Sequence, residues 1–270
     1  MVKKLRYISR KTMLFLLLLA CIVLAYIVNY LYSRLEYFES EPDTSFIQCV
    51  VARYNEKTDW FTESPWNSLD MICYNKGPRL PDNCFNKHCK VIDLDNVGRC
   101  DHTYLYHIIQ NYDSLAPVTF FLPASCTDNH KRAFTMKVYN HLMNTKTTVL
   151  QGGMLDDVRT HMYNFTLDTW AASNKDNLNE NPESQLQKSP VRPFGKWYDE
   201  NFGPELKVHI FSYYGIIAVA REHIIQHPIT RYQKLIKYID SHSNPEAGHY
   251  IERSWGAIFY PYPKSCIYSY

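Results

Sequence analysis

Apolar and polar positions divide the chain into three unequal stretches. From Met13 to Val28, sixteen consecutive residues carry no charge, and Asn29, Tyr30, Leu31 and Tyr32 extend the run to the ~20 residues that a bilayer crossing requires. A transmembrane helix is expected over 12–32. Residues 33–45, including "EYFESEPDT", form a polar stem. Beyond it the apolar runs become short, β-branched and aromatic: Phe46–Ala52, Met71–Tyr74, Val91–Leu94, Val118–Leu122 and Thr147–Leu150. Such runs read as strands. Helical periods lie between several of them. In residues 101–112, Leu105, Ile108, Ile109 and Tyr112 fall on one side, with Asp101 placed to cap the first turn; in 131–143, Phe134, Val138 and Leu142 do the same. Strands alternating with helices predict an α/β domain over 46–270, a mostly parallel sheet with helices on both faces. Residues 172–193 hold three prolines and no apolar period, which predicts an exposed polar loop. The pattern resumes with strand, turn and strand in "LKVHIFSYYGIIAVAREHI", then a helix over 229–240 with Tyr232, Leu235, Ile236 and Ile239 inward. No internal repeat is visible.

Charge orients this outline. Lys3, Lys4, Arg6, Arg10 and Lys11 precede the apolar run, whereas Arg34 stands with Glu36, Glu39 and Glu41 after it. Basic flanks stay cytosolic, so residues 1–11 are expected in the cytosol and the body in the secretory lumen, outside the cell or outside a viral membrane. A cleaved signal peptide is the rival reading, but the apolar run is long for one and Tyr30–Arg34 offers no small-residue cleavage site. A formal charge of +2 over 270 residues gives no electrostatic reason to expect nucleic acid. Cys21 sits in the span and seven cysteines remain in the body, an odd number that leaves at least one thiol free or paired between chains. Cys84 and Cys89 bracket "CFNKHC", where an oxidising lumen makes a disulfide plausible. A metal site there with His88 and His102 as extra ligands is the alternative, but neither spacing matches a zinc pattern, and His223 and His227, at the spacing of a zinc pair, lack the glutamate of a zincin. Asn164-Phe165-Thr166 is a glycosylation sequon, usable only in a lumenal body.

Three clusters carry candidate chemistry. Ligands of open α/β sheets lie beyond the carboxyl ends of the strands, which is where Arg53, Tyr54, Asn55 and Glu56 follow the first run and Asn75 and Lys76 the second. The cations suit phosphate, the asparagines a base or sugar and the glutamate a hydroxyl; Asn75–Gly77 reads equally as turn chemistry. In "NVGRCDHTYLYHI", Gly98 permits a tight helix entry, and Arg99 and His102 flank a helix N-terminus that favours an anion. Upstream, Asp93-Leu94-Asp95 has the form of an Asp-x-Asp holding a divalent cation, manganese or magnesium, on phosphates, a pattern that also arises by chance. In "PEAGHYIERSWGAIF", a helix puts Ile251, Trp255, Ile258 and Phe259 on its core face and His249, Glu252 and Arg253 on the other. That second face is either a solvated surface or a general-base pair, His249 with Glu252, acting on a hydroxyl. Walker, dinucleotide and Gly-x-Ser-x-Gly patterns are absent.

Taken in order, "VVARYNEKTDW", "YNKG", "NVGRCDHTYLYHIIQNYDSL", "FFLPASC" and "HYIERSWGAIF" resemble a family of glycosyltransferase-like proteins whose hallmark is a strand ending in Ala-Arg-Tyr-Asn-Glu. The resemblance spans Phe46 to Phe259. It implies a GT-A-like nucleotide-sugar fold, with Arg53, Asn55 and Glu56 in the donor-side motif and Glu252, Arg253 and Trp255 in the terminal one. On that footing Arg99 and Lys76 meet phosphate, and Glu252 or His249 assists the hydroxyl of a glycan or glycoprotein acceptor. One departure stands out: metal-dependent GT-A enzymes usually carry Asp-x-Asp after a later central strand, where this chain has Pro123, Ala124 and Ser125. The competing class is a membrane-anchored glycoprotein without catalysis, an envelope or surface component whose twenty-two tyrosines serve an interaction surface.

Overall fold

Residues 47–53, "IQCVVAR", are apolar at every position but two and β-branched at three, and they form the strand on which the domain is built. The computed structural model describes residues 10–36, 43–79, 88–167 and 186–269. Cys84, the stem from 37 to 42 and most of the polar loop, 168–185, lie outside the described residues. Two units are separate in the chain, Met1–Asp43 and Thr44–Tyr270. In the first, α1 runs from Arg10 to Glu36; among the described residues no helix is long and apolar enough to cross a membrane, so the expected span is not supported at this level.

In the second unit the strands are β1 (Ile47–Arg53), β2 (Asp70–Asn75), β3 (Cys89–Asp93), β4 (Val118–Pro123), β5 (Val149–Met154), β6 (Ile210–Phe211), β7 (Ile217–Ala220) and β8 (Ile267–Ser269). They form one sheet in the order β3-β2-β1-β4-β7-β5-β6, with β8 paired to β5. The sheet is mixed: among the described strands four pairings are parallel, as expected, and three are antiparallel. β3, β2, β1 and β4 run parallel, whereas β7 is antiparallel to both β4 and β5, and β6 to β5. The physical reason lies in the return of the chain through β6 and β7. Phe211 pairs with Gly153 and Ile217 with Leu150, so between these pairs five residues on this segment face two on β5. The surplus is thrown out as a loop at Ser212–Ile216, with Tyr214 and Gly215 both left-handed at φ 71° and 63°, as in an enlarged bulge.

Successive β1 side chains enter opposite layers, as a period of two requires. Val50 and Ala52 face one core with Tyr74, Phe121 and Trp255; Cys49 and Val51 face the other with Trp60, Trp66, Phe120 and Val138. Helices α2 (Arg99–Gln110), α5 (Phe194–Phe202), α7 (Ile229–Ile236) and α8 (Glu246–Ile258) cover the first layer; α3 (Asn129–Thr145) and short 3-10 turns at 59–62 and 66–68 cover the second. Two short helices, α4 (Val158–His161) and α6 (Arg221–Ile225), complete the set among the described residues. The helix at 229–236 buries Tyr232 and Leu235 as expected, with Ile239 buried just beyond it and Ile236 only half-buried. Cys49, Cys73, Cys126 and Cys266 are buried and Cys89 is half-buried; no disulfide joins cysteines among the described residues.

One element repays a closer look because it ties down the polar loop. The carboxylate of Glu246, fully buried at the start of α8, accepts bonds from the backbone N–H of Leu167 and of Ser189, from the Arg192 guanidinium and from the Tyr250 hydroxyl. A buried carboxylate needs its lone pairs satisfied, and these four donors supply that.

Candidate functional site

β1 is flanked by β2 on one side and β4 on the other, so the switch point where α/β sheets receive ligands lies at its carboxyl end. Two polar clusters occupy that end, and they differ in what their charges touch.

The first cluster follows the strand register. Arg53 is paired with Asn75 and Asn75 with Asp93 across three parallel strands, and the side chains repeat the pairing. Arg53 Nη1 donates to Asn75 Oδ1 at 2.6 Å and to the Pro78 carbonyl at 2.8 Å, while its Nε donates to the Glu56 carbonyl at 3.1 Å. Asn75 Nδ2 donates to Asp93 Oδ1 at 3.0 Å and to the Gly77 carbonyl. Lys76 Nζ donates to the carbonyls of Val97 and Arg99, each at 2.6 Å, and burial pushes its pKa down to about 8. Arg53, Asn75 and Lys76 therefore fasten the exits of β1, β2 and β3 to one another, and their expected place against a donor is taken by backbone. Packing is close: a Cβ on Gly77 would stand 1.9 Å from the Tyr54 carbonyl oxygen. Glu56 Oε2 accepts from the Tyr54 N–H at 2.7 Å, leaving Tyr54, Asn55 and Glu56 half-buried on the rim. Asp93 and Asp95 are exposed, and among the described residues no three metal-ligating side chains converge. Among the described residues Asp93 and Asp95, expected to hold manganese or magnesium, have no third ligating side chain beside them.

The second cluster joins α2, α8 and the 212–216 loop. Gly98 at φ 60° and Arg99 at φ 55° turn the chain into α2; a Cβ on Gly98 would meet the Ile239 carbonyl at 2.3 Å. This replaces the expected Asp101 cap: Gly98 holds the cap position without a side-chain bond, and Asp101, 2% exposed, turns inward to accept from the Trp255 indole N–H at 3.1 Å. Arg99 Nη1 lies 2.6 Å from Nε2 of His249. His249, 5% exposed, is pushed down to about 2 by burial first and then by the Arg99 and Arg253 guanidinia, so its imidazole is neutral and accepts from Arg99. Glu252 Oε1 accepts from the Tyr214 N–H at 3.0 Å, and its Oε2 lies 3.6 Å from Arg253 and 4.0 Å from His249. Arg253 is roofed by Phe165 and Tyr213, with ring centres at 4.4 and 5.0 Å. The face of α8 that the sequence left open as a solvated surface is thus covered.

Burial pushes the thiols of Cys126, after β4, and of Cys100 up, with Lys131 pulling the other way in both. Lys131 donates to the Ser125 hydroxyl at 2.7 Å and lies 5.9 Å from the centre of the Tyr214 ring, which is 40% exposed. His102 is stacked on Tyr106 and held down to about 4 by burial and by Lys76, with Nδ1 unpartnered. Asp101, Tyr214 and Lys131 were not singled out in the sequence as site residues. Asp101 has the signature of a helix cap, Lys131 that of a surface helix, and Tyr214 acquires its place only from the three surplus residues of the bulge. Asn164 stands exposed in the turn after α4. Two concavities of about 400 Å³ lie elsewhere, one beside Arg231 and Lys234, the other beside Lys146 and Arg221; they share no lining residue with either cluster, and residue chemistry is the better guide here than size.

A family model described as a protein of unknown function (DUF3431) matches residues 49–269. The chain belongs to that family. No curated protein matches it.

Proposed function

We propose that this DUF3431 protein is a glycosyltransferase-like enzyme of GT-A type, anchored as a type II membrane protein through residues 12–32, that moves a sugar from a nucleotide-sugar donor to a glycan or glycoprotein. One observation carries the reading. Arg99, the 213–215 loop and the His249-Glu252-Arg253 face, some 150 residues apart in sequence, come within hydrogen-bonding or ion-pair reach of one another at the carboxyl end of the parallel strands. Glu252 is the acceptor-side base: its Oε1 is anchored by the Tyr214 N–H, and its Oε2 stands 3.6 Å from Arg253 and 4.0 Å from His249. Neutral His249 orients Arg99, and Arg99 with Lys131 offers positive charge to a donor's phosphates. Tyr54, Asn55 and Glu56 form the donor-side wall. Arg53, Asn75 and Lys76 hold that wall in place rather than touching donor. The anchor rests on the sequence, on the uncharged run Met13–Val28 behind Lys3, Lys4, Arg6, Arg10 and Lys11.

The test uses full-length protein in detergent with UDP-, GDP- and CMP-sugars. Donor should be depleted by the wild type and spared by Glu252→Gln and Glu56→Ala. No hydrolysis, transfer or binding across the panel overturns the reading. A second reading is favoured by a specific observation: the rim charges bond mainly to each other and to backbone, and neither concavity opens at them. That arrangement suits a membrane-anchored glycoprotein whose body serves interaction, and an inactive but folded protein in the donor panel would select it.

A further inference from the structure

Asp101 is the least accounted-for charge in the molecule. Its carboxyl is buried against Trp255, whose indole N–H reaches Oδ1 at 3.1 Å, and against the Cys100 thiol, whose Sγ lies 3.8 Å from Oδ2. Among the described residues no cation lies within ion-pair distance of it. The charged and titratable groups that act with it are Arg99, Cys100 and the Tyr104 hydroxyl on its own helix, Lys76 at the exit of β2, and Glu252 on α8, which repels it; Gly248 of α8 approaches so closely that a Cβ there would stand 4.0 Å from Oδ2. An unpaired buried carboxylate next to a second carboxylate favours holding a proton, because burial penalises the anion and the neighbour repels it.

We propose that Asp101 is a proton-holding positioning residue of the α2–α8 cluster: with the proton on, it leaves Arg99 to His249 and Glu252 as the anion of the rim, and with the proton off it competes with His249 for Arg99 and repels Glu252. The proton exchanges with water and no other bond changes. Burial first, then Glu252, pushes the Asp101 pKa up to about 7, with Arg99 and the Trp255 bond pulling the other way. The exchange therefore falls within the neutral range. The inference rests on the transferase reading only for its consequence in turnover; the titration itself stands apart.

Trp255 is a built-in reporter because its N–H bonds the titrating group. Full-length protein in detergent, scanned from pH 5 to pH 9, should show a sigmoidal change in tryptophan emission near neutrality that Trp255→Phe removes. Glu252→Gln, which takes away the repelling charge, should shift the midpoint to lower pH, and Asp101→Asn should abolish it. A carboxylic C=O stretch in the infrared spectrum of the wild type should fade over the same range, which keeps the inference testable if Asp101→Asn does not fold. A transition that survives Asp101→Asn, a midpoint unmoved by Glu252→Gln, or a carboxyl band indifferent to pH overturns it. In the donor panel, Asp101→Asn should flatten the pH dependence of kcat with KM little changed. If no donor is turned over while the emission and infrared transitions follow the pattern, the enzyme reading fails and this one stands.

Discussion

The two polar clusters at the carboxyl end of the sheet have similar residue types and opposite bonding. Around Arg53 and Lys76 the side-chain donors end on backbone carbonyls or on Asn75, so the charges act as rivets between strand exits. Around Arg99 and Glu252 the charges face other titratable groups. Side chains that bond to backbone lock a shape; side chains that bond to one another leave protonation states for chemistry to use.

Four experiments break or sharpen that contrast. The largest effect belongs to Glu252→Gln, which should lower donor turnover by about 10²–10⁴-fold, the usual worth of a positioned base, while urea unfolding moves by less than about 1 kcal/mol. The converse is expected of Arg53→Leu. It takes the guanidinium away from the Asn75 oxygen and the Pro78 and Glu56 carbonyls, and buried acceptors left unpaired cost roughly 1–3 kcal/mol each, so the free energy of unfolding read from urea titration should drop by about 3 kcal/mol. Equal losses of stability at the two sites would erase the distinction. Next comes acid. His249, His102 and His107 are held down by burial, to about 2, 4 and 4, so the unfolded chain takes up protons that the fold refuses as pH falls below ~6.5. Stability should decline by about 2 kcal/mol per histidine by pH 5, the product of 1.5 pH units and 1.36 kcal/mol, and His249→Gln should shallow the slope. Asp101 acts in the opposite sense: its raised pKa means that the fold holds a proton the unfolded chain has released, so its contribution weakens as pH rises from about 4 to about 7. Urea midpoints at pH 7, 6, 5 and 4 measure both. The smallest effect is Asn164→Gln, which should remove one glycan's mass from protein made through the secretory route and leave unfolding unchanged; a mass that does not move would withdraw the sequon as support for a lumenal body.

How much of this the sequence disclosed varies with the range of the forces involved. β1 to β4, α2, α3 and α8 were legible because each is set by local periodicity, and Val50 against Val51 already shows the two layers. The antiparallel entry of β7 was not, since strand direction depends on pairing partners far away and "IIAVA" is equally apolar in either orientation. Within the site, the Arg-Tyr-Asn-Glu segment and the Glu252 face were found from residue type and position at element ends. Their roles were not. Whether an arginine meets ligand or carbonyl depends on neighbouring loops, here Pro78 and Glu56 for Arg53, and whether an aspartate caps a helix or turns inward depends on Trp255, 154 residues away.

The core thiols have a practical consequence. Cys49, Cys73 and Cys126 are fully buried and burial pushes all three above the ordinary thiol range; since the thiolate is the reacting form, alkylating reagents have no access to them while the sheet is intact. They sit on β1, on β2 and just past β4, the central parallel strands, so pulse labelling read by mass spectrometry would time the moment those strands part and give a stopwatch for unfolding that needs no engineered probe.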